Sequence, residues 1–327
     1  MSTMFSAAVL EIDARTEAER IGAFIKSAVH GPLRRRGMVV GLSGGIDSAV
    51  VAALGVQALG RERVFGLLMP ERDSSPDALR LGQLLADSLG IESTVEDIGP
   101  ALDGAGCYRK QMEAIRSAVP EYGEGWKCKL SLPSIVDGAR LNVTRLTVKS
   151  PAGEVRTVRL GLAGYLQMVA ATNYKQRFRK ATEYFHADRL NYAVAGTPNR
   201  LEYDQGFFVK QGDGAADLKP IAHLYKTQVY ALARHLGVPD EICRRPPTTD
   251  TFSLAQTQEE FYFALPHADM DVCLYALNAG VAAADVAPAV RLTPEQVQRV
   301  FNDITAKRRA TSYQHLAPLL AEPVAEV

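Results

Sequence analysis

In the stretch SGGIDS, residues 43–48, two glycines, two serines and an aspartate interrupt an otherwise apolar run. Met38–Leu42 before it predicts a short buried strand, and Ser48–Leu59 after it predicts a helix ended by Gly60. A turn between strand and helix aims backbone N–H groups above the sheet, where the helix dipole favours anions. Gly44 and Gly45 allow close backbone approach, and Ser43 and Ser48 add hydroxyl donors. This composition predicts a phosphate cradle. It is neither of the two commonest cradles: no lysine follows in GxxxxGK[ST] spacing, and the glycines do not fit GxGxxG. Asp47 alone reads equally well as a helix N-cap. Beside phosphate it would repel, and Mg²⁺ bridging carboxylate and phosphate oxygens resolves that conflict.

The elements that must hold this turn follow from apolar spacing. Ile21, Phe24, Ile25, Ala28 and Val29 mark an amphipathic helix closed by Gly31-Pro32. Val64–Met69 predicts a second buried strand, and Ile91–Ile98 a third. The helix between them has Ser75 as N-cap, Pro76 at its first position and Gly90 past its end. This order predicts an α/β fold, a doubly wound, mostly parallel, Rossmann-like sheet. Residues 99–162 break the rhythm, and the alternation in 140–161 around Pro151-Ala152-Gly153 predicts an inserted β-hairpin. The rhythm returns with a helix at Leu162–Phe185, a strand at Leu190–Ala195 and a helix at Leu224–Leu236. Residues 252–327 read as a helical C-terminal region, including a capping box opened by Thr293. Residues 1–327 are expected to form one domain. Glu202 follows the strand at 190–195, at the carboxyl edge where ligands collect in such sheets.

Bulk properties exclude several classes. Among 327 residues, 47% are hydrophobic, and 37 basic residues balance 37 acidic ones. That balance argues against nucleic-acid partners, and no apolar run approaches a membrane span. Cys107, Cys128, Cys243 and Cys273 form no CxxC pair and read as reduced thiols. With no basic-then-apolar leader at the N-terminus, the expected location is the cytoplasm. No Ser/His/Asp or Cys/His arrangement suggests a protein nucleophile.

SGGIDS, residues 43–48, resembles the signature of the PP-loop ATP pyrophosphatases, whose sheet has the adenine nucleotide alpha hydrolase-like arrangement. Four later stretches are similar to those of the NAD synthetase family within it: NYKQRFRK (173–180), AGTPNRLE (195–202), GFFVKQGDGAADLKPI (206–221) and LYKTQVYALARHLGVP (224–239) with PPTTD (246–250). The resemblance implies a magnesium site at Asp47 and Glu202. It also implies ATP and pyrophosphate contacts from Ser43, Gly44, Gly45, Ser48, Thr197, Lys226 and Thr248. Arg177, Arg179, Lys210, Asp213 and Asp217 would read the acceptor, deamido-NAD. The implied reaction adenylates that carboxylate with ATP, Mg²⁺ assisting, and ammonia then displaces AMP to give NAD. The resembled family dimerises, so a homodimer is expected.

About thirty-five residues before the first core strand leave no room for a glutaminase domain, so ammonia is expected to arrive free or from a separate protein. Three stretches depart from the family pattern: the length of 99–162, Gln258 where an aspartate is expected in QTQEEFYF, and AKRRAT (306–311) in place of HKRxPP. All lie on the acceptor side, so a related ligase amidating another carboxylate is the alternative. A tRNA-thiolating enzyme and a non-catalytic nucleotide-binding module fit the zero net charge and the charged residues less well.

Overall fold

The structure, a computed structural model, describes residues 5–132, 144–248 and 251–324. In chain order its elements are α1 (Ala14–His30), β1 (Met38–Gly41), α2 (Ile46–Leu59), β2 (Val64–Leu68), α3 (Pro76–Leu89), β3 (Glu92–Val95), α4 (Gly99–Gly104) and α5 (Cys107–Arg116). There follow β4 (Lys127–Ser131), β5 (Arg145–Lys149), β6 (Val155–Arg159), α6 (Leu162–Leu190), β7 (Ala193–Ala195), α7 (Arg200–Gln205), α8 (Lys226–His235) and α9 (Asp240–Arg244). Helices α10 (His267–Ala279), α11 (Ala283–Val290) and α12 (Pro294–Thr311) complete the chain.

The expected boundaries are set by caps. Ser75 accepts from the Asp77 N–H at 3.2 Å, Pro76 opens α3, and Gly90 closes it in the left-handed region at φ 63°. Thr293 and Gln296 form the expected reciprocal box at the start of α12. Some boundaries differ: the third strand keeps only Glu92–Val95 of the expected Ile91–Ile98, and α8 spans Lys226–His235. Helix α6 continues to Leu190, where Asn191 turns left-handed at φ 54°, so the following strand keeps only Ala193–Ala195.

Strands β3, β2, β1 and β7 lie side by side in that order, all parallel. Alternation along β1 sends Met38 and Val40 into a core built with α1, α2, α3 and α8, while Val39 faces Phe65, Leu67 and Ala187 on the α6 side. Both faces are therefore covered, as a parallel sheet requires. Because β1 is paired with β2 on one side and β7 on the other, chain connections diverge there, and a crevice opens at the carboxyl ends of β1 and β7.

The insertion is larger than a hairpin. Strands β5 and β6 pair antiparallel as expected, and β4 joins them in a separate three-stranded sheet; residues 140–143 of the expected hairpin fall outside the described ones. Cys128, Leu130, Leu146 and Val148 pack on Ile115, Val119 and Met168, with Phe252 from a distant segment in the same cluster. Burying that one phenylalanine contributes about 1.5–3 kcal/mol. Helices α10–α12 share a third core through Met270, Cys273, Val286, Val297 and Ile304. Among the described residues, no helix is long and apolar enough to cross a membrane.

Candidate active site

The turn after β1 is shaped by hydroxyls and one left-handed glycine. Gly44 has φ 70°, and a Cβ there would sit 2.6 Å from the Ala78 carbonyl oxygen, so only glycine fits against α3. The Ser48 hydroxyl donates to the Gly45 carbonyl at 3.0 Å and accepts from the Ser43 N–H at 3.3 Å. Ser43 Oγ lies 3.2 Å from Ser48 Oγ and accepts from the Gly45 N–H. Gly45 caps α2 without a side chain. Its neighbours therefore form a polar rim at the positive end of a 14-residue helix.

Asp47, in the first turn of α2, faces across the crevice. Its carboxylate pairs with Lys226 Nζ and accepts from Asn199 Nδ2 at 3.1 Å. Asn199 is the N-cap of α7 just beyond β7, and Glu202 closes a capping box with it. The same box that starts α7 thus fixes a carboxylate beside Asp47. Gln258 Nε2 donates to the other oxygen of Glu202 at 2.9 Å. Lys226, first residue of α8, is buried, and its backbone is held by Asp271 of α10, whose carboxylate accepts from the N–H groups of Lys226 (3.1 Å) and Thr227 (2.7 Å).

The electrostatics follow from burial. Burial, then the Asp47 charge, pushes the Glu202 carboxyl up to about 8. Burial pulls the Lys226 ammonium down, but the carboxylates of Asp47 and Glu202 outweigh it and hold its pKa above the ordinary lysine value. Burial raises Asp271 to about 6 against the helix N–H groups it caps. Two carboxylates sharing one buried lysine leave the site short of positive charge. That deficit suits a hard divalent cation bound through one or two carboxylates and substrate phosphates.

These residues open on a cavity of 760 Å³. Ser43, Gly45, Asp47, Ser48, Thr197, Glu202, Asp213, Lys226 and Thr248 all line it. Its far wall is apolar, with Leu130 and Leu132 of the insertion beside Phe207, Phe261 and Tyr262. The remaining sequence-predicted residues are not in that lining. Arg177 donates to the Lys210 carbonyl at 3.3 Å, Arg179 reaches Ser74 Oγ at 3.5 Å, and Lys210 Nζ binds the carbonyls of Tyr313 and Leu316. Asp217 accepts from the Val194 N–H at 2.7 Å and from Tyr184 at 3.3 Å, so it anchors a loop to β7. Asp213, a cavity residue, also accepts from the Val209 N–H at 2.7 Å, and burial raises its pKa.

Sequence reasoning missed three residues. Asn199 was readable as the N-cap of an N-x-x-E box. Asp271 stands among buried Met270, Val272 and Cys273, an acid inside an apolar run. Lys175 sits in the basic stretch 173–180, yet it is fully buried, bonded to Glu71 at 3.0 Å and Asp73 at 2.6 Å.

A strand-to-helix anion cradle faced by two carboxylates and a lysine, at the switch point of a parallel sheet, is the arrangement of a nucleotide-binding α/β protein. The profile of the NAD synthase family matches residues 17–118 and 142–311. An NH(3)-dependent NAD(+) synthetase of Mesorhizobium japonicum is 64% identical over 97% of this chain and 100% of its own length. One of Rhizobium meliloti is 58% identical over 99% of this chain and 97% of its own. The chain belongs to the NAD synthase family. Its fold is shared with the NMN synthetase of Francisella tularensis, with a TM-score of 0.66 at 21% identity over 95% of this chain and 99% of that one. The family profile leaves residues 119–141, inside the stretch 99–162, unmatched.

Proposed function

We propose that this chain catalyses the ATP-dependent amidation of deamido-NAD with ammonia, giving NAD, AMP and pyrophosphate. Family membership and two relatives bearing that activity in their names support the reading. The observation that carries it is the meeting of Asp47, Glu202 and Lys226 around the turn at 43–48, inside one cavity.

The N–H groups and hydroxyls of Ser43, Gly45 and Ser48 bind the departing pyrophosphate, and Lys226 neutralises charge on it. Asp47 and Glu202 would hold Mg²⁺, which supplies charge neutralisation at the phosphates when bound. Thr197 and Thr248 line the same cavity, which supports nucleotide contacts from them. The acceptor carboxylate attacks the α-phosphorus and pyrophosphate leaves; ammonia then attacks the acyl-adenylate and AMP leaves. Neither step needs a protein nucleophile. The aromatic wall of Phe207, Phe261 and Tyr262 excludes water that would hydrolyse the adenylate.

Residues 1–327 act as one unit, with the insertion at 99–162 and the helical region at 252–327, and nitrogen arrives as free ammonia or from a separate protein. Helix α6 exposes Leu162 and Leu166 one turn apart, an apolar surface suited to a second copy, which supports a homodimer. In that assembly Arg177, Arg179, Lys210 and Asp217 would read the acceptor from outside the single-chain cavity. Light scattering at micromolar concentration tests the dimer, and a monomer there overturns it.

The activity is tested with ATP, Mg²⁺, ammonium and deamido-NAD, following NAD, AMP and pyrophosphate. Equal amounts of all three are expected. AMP release driven by another carboxylate, with no NAD formed, overturns the assignment and favours a sister ligase, to whose acceptor the wall of Leu130 and Leu132 would belong.

A further inference from the structure

Strand β4 is the outer strand of the inserted sheet, and an open strand edge is a ready template for pairing. Here that edge is occupied by the segment that follows Thr248. The Cys128 carbonyl accepts from the Leu254 N–H at 3.0 Å, and the Cys128 N–H donates to Ser253 Oγ at 2.9 Å. The Leu130 carbonyl accepts from the Gln256 side chain, and the Leu132 N–H donates to the Glu260 carbonyl at 3.1 Å. Lys129 Nζ pairs with Glu260 Oε1 at 2.5 Å.

Two further anchors fix the same segment. Buried Lys175, held by Glu71 and Asp73, donates to the Thr251 carbonyl at 3.1 Å. Phe252 lies in the core of the insertion and meets the Phe261 ring at a centroid distance of 5.7 Å. Residues 251–263 contain a single wide turn, Glu259–Phe263, and one bridge from Thr257 to Thr248, so outside contacts must offset the entropy of ordering them. Their inner side reaches the active site. The Gln258 N–H donates to the Pro247 carbonyl at 3.1 Å, and its side chain donates to Glu202 Oε1 at 2.9 Å. An amide suits this place, since a carboxylate at 258 would face Glu202 with like charge.

We propose that the outer edge of β4 is a dock that holds residues 251–263 against the cavity before ligand arrives, and that Gln258 is the positioning residue through which the dock orients the Glu202 carboxylate. The role given to Glu202 rests on the function proposed above. The insertion then acts on the adenylation step from outside the phosphate cradle. Its ion pair, Lys129 with Glu260, lies outside the cavity lining.

The test uses the intact chain and two readouts. Hydrogen exchange of amides 252–260 in the ligand-free protein reports the dock, and steady-state pyrophosphate release with ATP, Mg²⁺, ammonium and deamido-NAD reports the site. Lys129→Glu is expected to speed that exchange and lower kcat, each by about tenfold, and the double variant Lys129→Glu with Glu260→Lys to restore both to within about twofold. Gln258→Ala is expected to lower kcat by about tenfold with slow exchange and an ATP KM near wild type. Wild-type exchange and kcat in Lys129→Glu, or no recovery in the swap, overturns the dock; wild-type kcat in Gln258→Ala overturns the positioning role. A wild-type protein that makes no NAD overturns the functional reading instead, and exchange still decides the dock.

Discussion

The parallel sheet and the inserted antiparallel sheet contribute to one cavity in different ways. At the carboxyl ends of β1 and β7, each functional side chain is also a structural one. Glu202 closes the box that starts α7, and Lys226 opens α8 over a buried Asp271. Asp47 lies in the first turn of α2. Moving any of them costs a helix terminus. At the insertion the cavity wall is apolar, and its link to chemistry runs through strand-edge hydrogen bonds and one amide, Gln258. The first region is made rigid by its own fold, whereas the second borrows rigidity from a neighbour. The charged side chains therefore belong to the parallel sheet, and part of the apolar cavity wall to the insertion.

This contrast is sharpest in the largest expected effect. Asp47→Asn keeps the volume and one acceptor but removes the charge, and AMP formation is expected to fall by about 10²–10³-fold in an assay of pyrophosphate release. A loss below tenfold would make the two regions catalytically alike.

Lys226→Met should strike stability as well as rate. It leaves Asp47 and Glu202 close together without their cation, a defect that costs about 3–5 kcal/mol in urea unfolding. Added Mg²⁺ is expected to return part of that loss, whereas no recovery would argue against a cation site between these carboxylates.

A smaller effect appears in the pH dependence of the ligand-free protein. Glu202 titrates near 8 when folded and near its ordinary 4.5 when unfolded. Between those values the folded state holds a proton that the unfolded state has lost, so its contribution to stability is present at low pH and fades as pH rises toward 8. The thermal midpoint should decline more steeply across pH 5–8 in the wild type than in Glu202→Gln, which keeps the capping box. Parallel curves would show that Glu202 is not strained by its surroundings.

The smallest effect is expected on the outer face of the insertion. Thr147 and Thr157 share a cross-strand hydrogen bond at 3.0 Å, exposed and away from the cavity. Thr157→Val should change stability by less than about 0.5 kcal/mol and leave kcat unchanged. A measurable drop in kcat would mean that the whole sheet, and not its β4 edge alone, is tuned to the site.

The sequence spoke clearly wherever a local rule was sufficient. Ser75, Pro76 and Gly90 bound α3 as their types require, and the break at Ser43–Ser48 marked the cradle because no core element needs that composition. It spoke less clearly where partners are distant in the chain. Nothing local in NYKQRFRK distinguishes Lys175, buried against Glu71 and Asp73, from Arg177 and Arg179 outside the cavity. The start of β7 was misplaced because Leu190 continues an apolar pattern that helix and strand share, and Asn191 ends α6 through its backbone. β4 eluded periodicity for a related reason: KCKLS alternates over only five residues, and its outer partner lies more than a hundred residues away.

Asp217 fastens the GDGAAD loop to the backbone of Val194, and Leu218 bridges to Ala195 as a further position along the sheet. The loop and the strand that launches Thr197 and Glu202 are consequently one mechanical part. A designer could not exchange residues 206–221 as a detachable module, because the graft would tug on the Glu202 carboxylate. The practical unit of redesign is the whole cassette from Ala193 to Ile221, transplanted together with its Tyr184 contact on α6.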